Sequence, residues 1–275
     1  MARARARWHR GVAAFLAVGS VLLAVQEGCF ANATAQPSLA GLGRLRRNSA
    51  VARPALKYTY FPLWAKGPAV ALALQHSGLE WEGAFPDDWK TLKPTTPFLE
   101  LPILETPAGT IGHELAILNY IGQQSQRMAG HDLTEFAISQ QLLSQAEDMY
   151  QKMIKLSLQL KTEQITGEEA AAFWTDEDEQ THNRNFGAKV YLKLLEAFYK
   201  SSGGTGGKFT SSGITVGECK LFSTLHAMKL AKDDILADYA ELSGFYDRFA
   251  AEAATQAILK GEGKMPGTFN QYFKF

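Results

Sequence analysis

The 275-residue chain carries 28 basic and 28 acidic side chains, and 46% of its residues are hydrophobic. This balance is typical of a globular protein with one large or two ordinary domains, and it gives no support to binding of nucleic acid or of an anionic membrane. The two cysteines, Cys29 and Cys219, form no CxxC pair, which excludes dithiol redox chemistry. The six histidines lack the spacing of a metal site, so no metal is expected.

Residues 1–54 have the composition of a targeting leader. A basic stretch precedes an apolar run at residues 11–25, which is short for a membrane span and indicates a cleaved signal. Residues 28–79 contain no acidic side chain, and several arginines and serines follow the signal. This order resembles the bipartite leaders of proteins imported into the complex plastids of algae, which implies a plastid location. An ordinary secretory signal followed by a linker is the alternative.

The leader composition predicts that residues before about Ala55 are absent from the mature protein. N-terminal sequencing of protein isolated from its native cells is expected to begin near Ala55. A sequence that begins near Met1 would contradict the assignment of residues 1–54 as a leader.

The first folded segment is expected at residues 55–130. Residues 56–61 alternate in polarity and favour a half-buried strand. Pro68 suits the first turn of a helix, and Gly78 suits its end, so a helix is predicted between them.

An extended region follows at residues 97–106, broken by Pro102. Residues 110–111 continue a strand, and residues 113–122 place apolar side chains at helical spacing. Strands and helices in this order predict an α/β thioredoxin-like domain.

Residues 131–275 are predicted to form an all-α domain. Helical spacing is clearest at residues 136–161, 169–174 and 186–199. The acidic run between the last two segments is interpreted as a solvated surface.

A glycine-rich stretch at residues 201–213 lacks the lysine-serine pair of a phosphate-binding loop and is predicted to be a flexible loop. Thr215 followed by Glu218 predicts a capping box at the start of another helix, with Ile214 placed to pack against it. Cys219 is expected to be a buried packing thiol.

Two ungapped blocks, residues 60–81 and 101–122, resemble the pi- and sigma-like pattern of cytosolic glutathione S-transferases. The resemblance covers nearly all of the chain after the leader. It implies a thioredoxin-like domain followed by a helical domain, glutathione as co-substrate, a small apolar electrophile as second substrate, and a homodimer. It implies no metal, no nucleic acid and no membrane partner once the leader is removed.

The resemblance places Tyr60 where the family has its thiol-activating tyrosine. A tyrosine hydroxyl at a strand end can donate a hydrogen bond to a bound thiol, which stabilises the thiolate and lowers the pKa of the thiol. Lys66, Trp89 and Lys93 are expected near the glutathione, and Asp148 matches an acidic residue that reaches the glutathione of the partner subunit.

The remaining glutathione contacts implied by the resemblance come from the second block. Glu100 precedes Leu101 and Pro102, whose peptide bond is cis in the family and turns the Leu101 backbone toward the ligand. His113 and Glu114 occupy the two positions at the start of the next helix, whose amides face the α-carboxylate of the γ-glutamyl group.

Glu114 departs from the family pattern, which has serine at this position. A carboxylate about 4 Å from the ligand carboxylate costs about 4 kcal/mol at an effective dielectric near 20. Glu114→Ser is therefore expected to tighten glutathione binding. Alternatively, Glu114 caps the helix and favours its dipole.

The function expected from these residues is conjugation of glutathione to small electrophiles, as in detoxification. The electrophile is expected between the two domains, against Trp64 and the helix around Tyr150. A non-catalytic binding or structural protein on the same scaffold is the alternative, because fold alone does not define function. A glutathione-dependent isomerase or peroxidase shares the thiolate site and stays open.

Overall fold

A computed structural model describes residues 55–180 and 186–275. The predicted leader, residues 1–54, lies outside the described residues. Within the described ranges, no helix is both long enough and apolar enough to cross a bilayer.

The described residues form short strands near the two ends of the chain and helices between them. The strands are β1 (Leu56–Thr59), β2 (Leu63–Trp64), β3 (Trp81–Ala84), β4 (Ile103–Thr106), β5 (Gly109–Gly112) and β6 (Asn270–Gln271). The helices are α1 (Gly67–Ser77), α2 (Trp89–Leu92), α3 (Glu114–Gln124), α4 (Gln126–Ala129), α5 (Leu133–Lys161), α6 (Gly167–Ala172), α7 (Ala188–Ser201), α8 (Val216–Ala231), α9 (Ala240–Ala251) and α10 (Ala253–Lys260). A short 3-10 helix, Lys93–Thr95, follows α2.

Four strands form the main sheet in the order β3-β1-β4-β5. Strand β1 pairs parallel with β3 and antiparallel with β4, and β5 continues antiparallel to β4. This mixed sheet, with α1 and α3 in contact beside it, confirms the predicted thioredoxin-like domain. The residues of β3 were not predicted as a strand from the sequence.

Helix α1 is buried on nearly every side. Pro68 lies in its first turn, and Gly78 ends it with a φ of 75°, as predicted. The helix contacts α3, α8 and α10. Because it is enclosed in this way, its sequence is apolar from Gly67 to Leu74, and polar side chains appear only in its last turn.

The predicted extended region at residues 97–106 is only half right. Residues 103–106 form β4, but residues 97–98 form a turn. Leu99 has a φ of 56°, in the left-handed region, so the chain changes direction there and cannot continue as a strand.

The helical part of the chain follows the sequence prediction closely. Helices α5, α6 and α7 begin and end within three residues of the predicted segments. Helices α5 and α8 form the main helix–helix contact, and the sequence-based boundary at residue 130 falls between α4 and α5.

The predicted capping box at the start of α8 is present. Thr215 accepts a hydrogen bond from the backbone N–H of Glu218, and the Glu218 side chain accepts one from the backbone of Thr215. A Cβ on Gly217 would lie 2.0 Å from the carbonyl oxygen of Ser139, so only glycine allows α8 to approach α5 this closely. Cys219 is fully buried, as expected of a packing thiol.

Candidate active site around Tyr60

Tyr60 follows β1 directly and lies over the start of α1. Its hydroxyl oxygen accepts a hydrogen bond of 3.1 Å from the backbone N–H of Lys66. A Cβ on Gly67 would lie 1.9 Å from Cδ1 of the Tyr60 ring, so the ring requires glycine at this position. The tyrosine hydroxyl is thereby fixed at the N-terminal end of α1, where the helix dipole favours negative charge.

The Tyr60 hydroxyl stays protonated near neutral pH. Burial raises its pKa above the ordinary value, and the nearby Glu114 raises the pKa further, although the backbone amides of Lys66 and Gly67 oppose both effects. A protonated phenol can donate a hydrogen bond to a ligand atom while it accepts one from the Lys66 amide.

Tyr58 has a different role from Tyr60. It is fully buried within β1, and its hydroxyl donates a hydrogen bond of 2.9 Å to the carbonyl oxygen of Gly67. That donor is used inside the protein, so Tyr58 is a packing residue.

The cis peptide bond expected between Leu101 and Pro102 is present. Just before it, Oε1 of Glu100 lies 2.7 Å from Nδ1 of His113, and both side chains are about half exposed. His113 has a φ of 63°, which is uncommon for a non-glycine residue, and it precedes α3 directly. The predicted contacts Glu100 and His113 therefore meet at one edge of the sheet.

Trp89 and Lys93 lie at the two ends of α2, where the backbone N–H of Lys93 donates to the carbonyl oxygen of Trp89, and Asp148 lies on another helix. The Trp89 ring lies edge-on to Phe61 at 5.2 Å, and Phe61 lies 5.9 Å from the Tyr60 ring. Lys93 is exposed at the start of the 3-10 helix, and Asp148 is exposed on α5. Their roles toward glutathione stay predictions.

Glu114, the residue that departs from the family pattern, is buried in an ion pair. Its side chain is 1% exposed, and its Oε2 lies 2.7 Å from Nζ of Lys220 on α8, which is also 1% exposed. Lys220 lies 2.9 Å from Oε2 of Glu147 on α5, and the other oxygen of Glu147 lies 3.2 Å from Nζ of Lys66. We call Glu114, Lys220, Glu147 and Lys66 the ion-pair network.

Each charge in the interior of the network has a partner of opposite sign. Burial raises the pKa of Glu114 to about 7, although Lys220 opposes this rise. Burial by itself would lower the pKa of Lys220, but Glu114 and Glu147 outweigh it and the pKa is raised, so the lysine stays charged. For Glu147, burial is outweighed mainly by Lys220, and the pKa is lowered.

The alternative that Glu114 caps α3 is not supported by its hydrogen bonds. Its Oε2 accepts from Lys220, and its Oε1 has no hydrogen-bond partner among the described residues. The ion pair with Lys220 is therefore the main polar contact of the Glu114 carboxylate.

Tyr150 lies beside both lysines of the network. Its ring centroid is 4.8 Å from Nζ of Lys220 and 5.3 Å from Nζ of Lys66, distances suited to cation–π contacts. Tyr150, which is expected to line the electrophile site, therefore contacts the ion-pair network.

Lys220 and Glu147 were not predicted from the sequence. Lys220 is 106 residues from Glu114 in the chain, and no motif connects the two positions. One signal was available, because Lys220 lies in an apolar stretch of α8 between Cys219 and Leu221. A lysine in such a stretch indicates a buried countercharge, but it does not say which carboxylate is the partner.

Part of the chain is similar in sequence to known proteins. No protein-family model matches the chain. It is 36% identical over 73 residues to glutathione S-transferase 1 of Ascaris suum, across 26% of this chain and 35% of that protein. It is 32% identical over 100 residues to hematopoietic prostaglandin D synthase of Gallus gallus, across 34% of this chain and 48% of that protein. The chain spans less than half the length of these curated relatives.

Solved structures extend the likeness to the fold. The sigma class glutathione S-transferase of Fasciola hepatica has a TM-score of 0.61 at 23% identity, with 77% of this chain and 98% of that chain covered. The chain therefore has the glutathione S-transferase fold, and the predicted fold is confirmed.

Proposed function

We propose that the chain is a member of the glutathione S-transferase family that transfers glutathione to small electrophiles. Glutathione is the co-substrate, and its thiol loses a proton to give the attacking thiolate. The thiolate sulfur forms a bond to the electrophilic carbon, and the leaving group departs with its electron pair or the product takes up a proton. The local sequence likeness to a glutathione S-transferase and to a prostaglandin D synthase supports the family.

The arrangement of the Tyr60 hydroxyl supports this reaction best. The hydroxyl accepts from the Lys66 amide and keeps its own proton, because burial, with Glu114, raises its pKa. A fixed hydrogen-bond donor at a helix N-terminus stabilises a thiolate, which lowers the pKa of the bound thiol.

The proposal is extended to an assembly and a location. A homodimer is supported by two adjacent apolar side chains, Phe98 and Leu99, which are 58% and 56% exposed beside the cis-proline turn. Import into a plastid is supported by the composition of residues 1–54.

Calorimetric titration with reduced glutathione tests the proposal. We expect saturable heat with one site per chain, and little heat from the dipeptide Cys-Gly, which lacks the γ-glutamyl group. The absence of saturable heat from folded protein would contradict the transferase assignment and the isomerase and peroxidase alternatives alike.

A non-catalytic binding protein is the second candidate, and one observation favours it. Trp64 and Tyr150, the residues expected to line the electrophile site, are 2% and 6% exposed. Aromatic rings from the end of the chain cover both of them, Phe269 on Trp64 and Phe273 on Tyr150. A covered site suits a protein that does not turn over electrophiles.

A further inference from the structure

The end of the chain returns to the sheet after α10. Gly261 has a φ of 68° and ends that helix. The backbone N–H of Gly83 then donates a hydrogen bond of 3.0 Å to the carbonyl oxygen of Lys264, and the buried Met265 lies over Gly83, where a Cβ would be 2.3 Å from its sulfur. We call residues 264–275 the C-terminal tail.

The C-terminal tail pairs with the strand that carries Trp64. Strand β6 pairs parallel with β2, and the backbone N–H of Asn270 donates to the carbonyl oxygen of Pro62 at 3.0 Å. The Phe269 ring lies edge-on to Trp64 at 6.0 Å. The tail and α8 together bury Trp64, whose Nε1 donates a hydrogen bond of 2.9 Å to the carbonyl oxygen of Ser223.

Phe273 packs on Tyr150, the other residue expected to line the electrophile site. Its side chain is 1% exposed, and its ring lies edge-on to Tyr150 with centroids 5.7 Å apart. The Tyr150 ring lies 5.3 Å from Nζ of Lys66, whose backbone N–H donates to the Tyr60 hydroxyl at 3.1 Å. The tail thus reaches the space between Tyr60 and α5.

Two open cavities of the described residues lie elsewhere. One of about 590 Å³ lies between the start of α5 and residues 202–211, and one of about 260 Å³ lies beside Glu177 and Tyr239. An electrophile bound against Tyr150 would share its space with the Phe273 ring, which packs on it.

The tail has an exposed backbone strand, but its apolar side chains belong to the core. Strand β6 and Lys274 are exposed, whereas Met265, Phe269 and Phe273 are buried in the hydrophobic core. The Phe273 ring is therefore packed in place beside Tyr150.

We propose that Phe273 is a specificity-determining residue that fills the electrophile site and limits the size of the second substrate. This proposal rests on the proposed transferase function. Small electrophiles fit beside the Phe273 ring, whereas bulky apolar ones enter only when the ring is displaced. In the non-catalytic alternative, the same ring controls the entry of apolar ligands.

Phe273→Ala in the full chain tests the proposal. For a series of chloronitrobenzene electrophiles of increasing size, we expect kcat/KM to rise about tenfold or more for the bulkiest member and less than about twofold for the smallest. The Kd for glutathione is expected to stay unchanged. Anilinonaphthalene sulfonate, a fluorescent apolar dye, is expected to bind the variant and not the wild type, and this readout needs neither glutathione nor turnover.

Lys274→Ala is the control. Lys274 is next to Phe273 in the same tail, but it is exposed. We expect wild-type selectivity and dye binding from it. If the alanine variant does not fold, Phe273→Leu takes its place. Leucine keeps an apolar side chain, and we expect an intermediate change in size selectivity and dye binding.

The possible failures are distinguishable. Equal dye binding and equal size selectivity in the wild type and the folded Phe273 variants would overturn the role of Phe273. An absence of glutathione binding in all variants, with dye binding still dependent on Phe273, would overturn the transferase function and leave the covered apolar site supported.

Discussion

Replacement of Tyr60 by phenylalanine is expected to lower kcat by about 100-fold, the usual cost of removing one hydrogen bond that stabilises developing charge. The Kd for glutathione should change little, because the contacts proposed for the ligand carboxylates and backbone come from other residues. The phenylalanine ring keeps the packing on Gly67 that the tyrosine ring makes. Tyr60→Phe should therefore impair the ionisation of the glutathione thiol and not the folding of the protein.

Two measurements on the glutathione complex separate these effects. Turnover with a small electrophile gives kcat, and ultraviolet absorbance of the bound thiolate against pH gives the pKa of the thiol, which we expect to be higher in Tyr60→Phe. Tyr58→Phe is the matched control, since its hydroxyl donates to Gly67 inside the protein. An unchanged kcat in Tyr60→Phe, or an equal loss in Tyr58→Phe, would assign thiol activation to another group.

Replacement of Lys220 by methionine is expected to lower the free energy of unfolding by about 3–5 kcal/mol at pH 8. The variant leaves Glu114 buried without its partner and removes one of the two lysines that contact Glu147. Methionine fills most of the volume of lysine, so the loss reports charge rather than a cavity. Urea unfolding followed by circular dichroism measures it.

The effect of Lys220→Met should depend on pH. Burial raises the pKa of Glu114 to about 7 in the wild type, against an ordinary value of 4.5, and loss of Lys220 raises it further. Between the unfolded and folded pKa values, the folded state holds a proton that the unfolded state has released, so stability falls as pH rises through this window. The variant should therefore be less impaired at pH 5 than at pH 8.

Lys66→Met provides the control for Lys220→Met. Lys66 contacts the same Glu147, but its side chain is 32% exposed, so water replaces the lost contact. A loss below about 1 kcal/mol is expected. Equal losses in the two variants, or a loss in Lys220→Met that does not vary with pH, would contradict a buried Glu114–Lys220 pair.

The Glu114–Lys220 ion pair weakens the reason to expect tighter glutathione binding from Glu114→Ser. The repulsion of about 4 kcal/mol assumed a carboxylate with no countercharge. Lys220, at 2.7 Å, offsets much of the charge of Glu114. Glu114→Ser also removes this carboxylate from Lys220, so any gain in glutathione affinity is accompanied by the loss of a buried ion pair. The affinity and the stability of this variant must therefore be measured together.

The fold was predictable because its signals are local. Pro68 and Gly78 define α1, and Thr215 with Glu218 defines the start of α8, each within a few residues of sequence. The structure contains these features as predicted. The extended region at residues 97–106 was partly wrong because the positive φ of Leu99 has no signal in a leucine side chain.

The sequence by itself determined the glutathione S-transferase fold and the position of Tyr60 at the end of the first strand, because hydrophobic period, caps and turn residues act over short distances. The tertiary structure decided which residue pairs with Glu114 and which residue packs on Tyr150. Lys220 reaches Glu114 from α8, and Phe273 reaches Tyr150 from the C-terminal tail. Both contacts join residues that are far apart in the chain, and such pairings depend on how helices and strands pack, which no local pattern of side chains specifies.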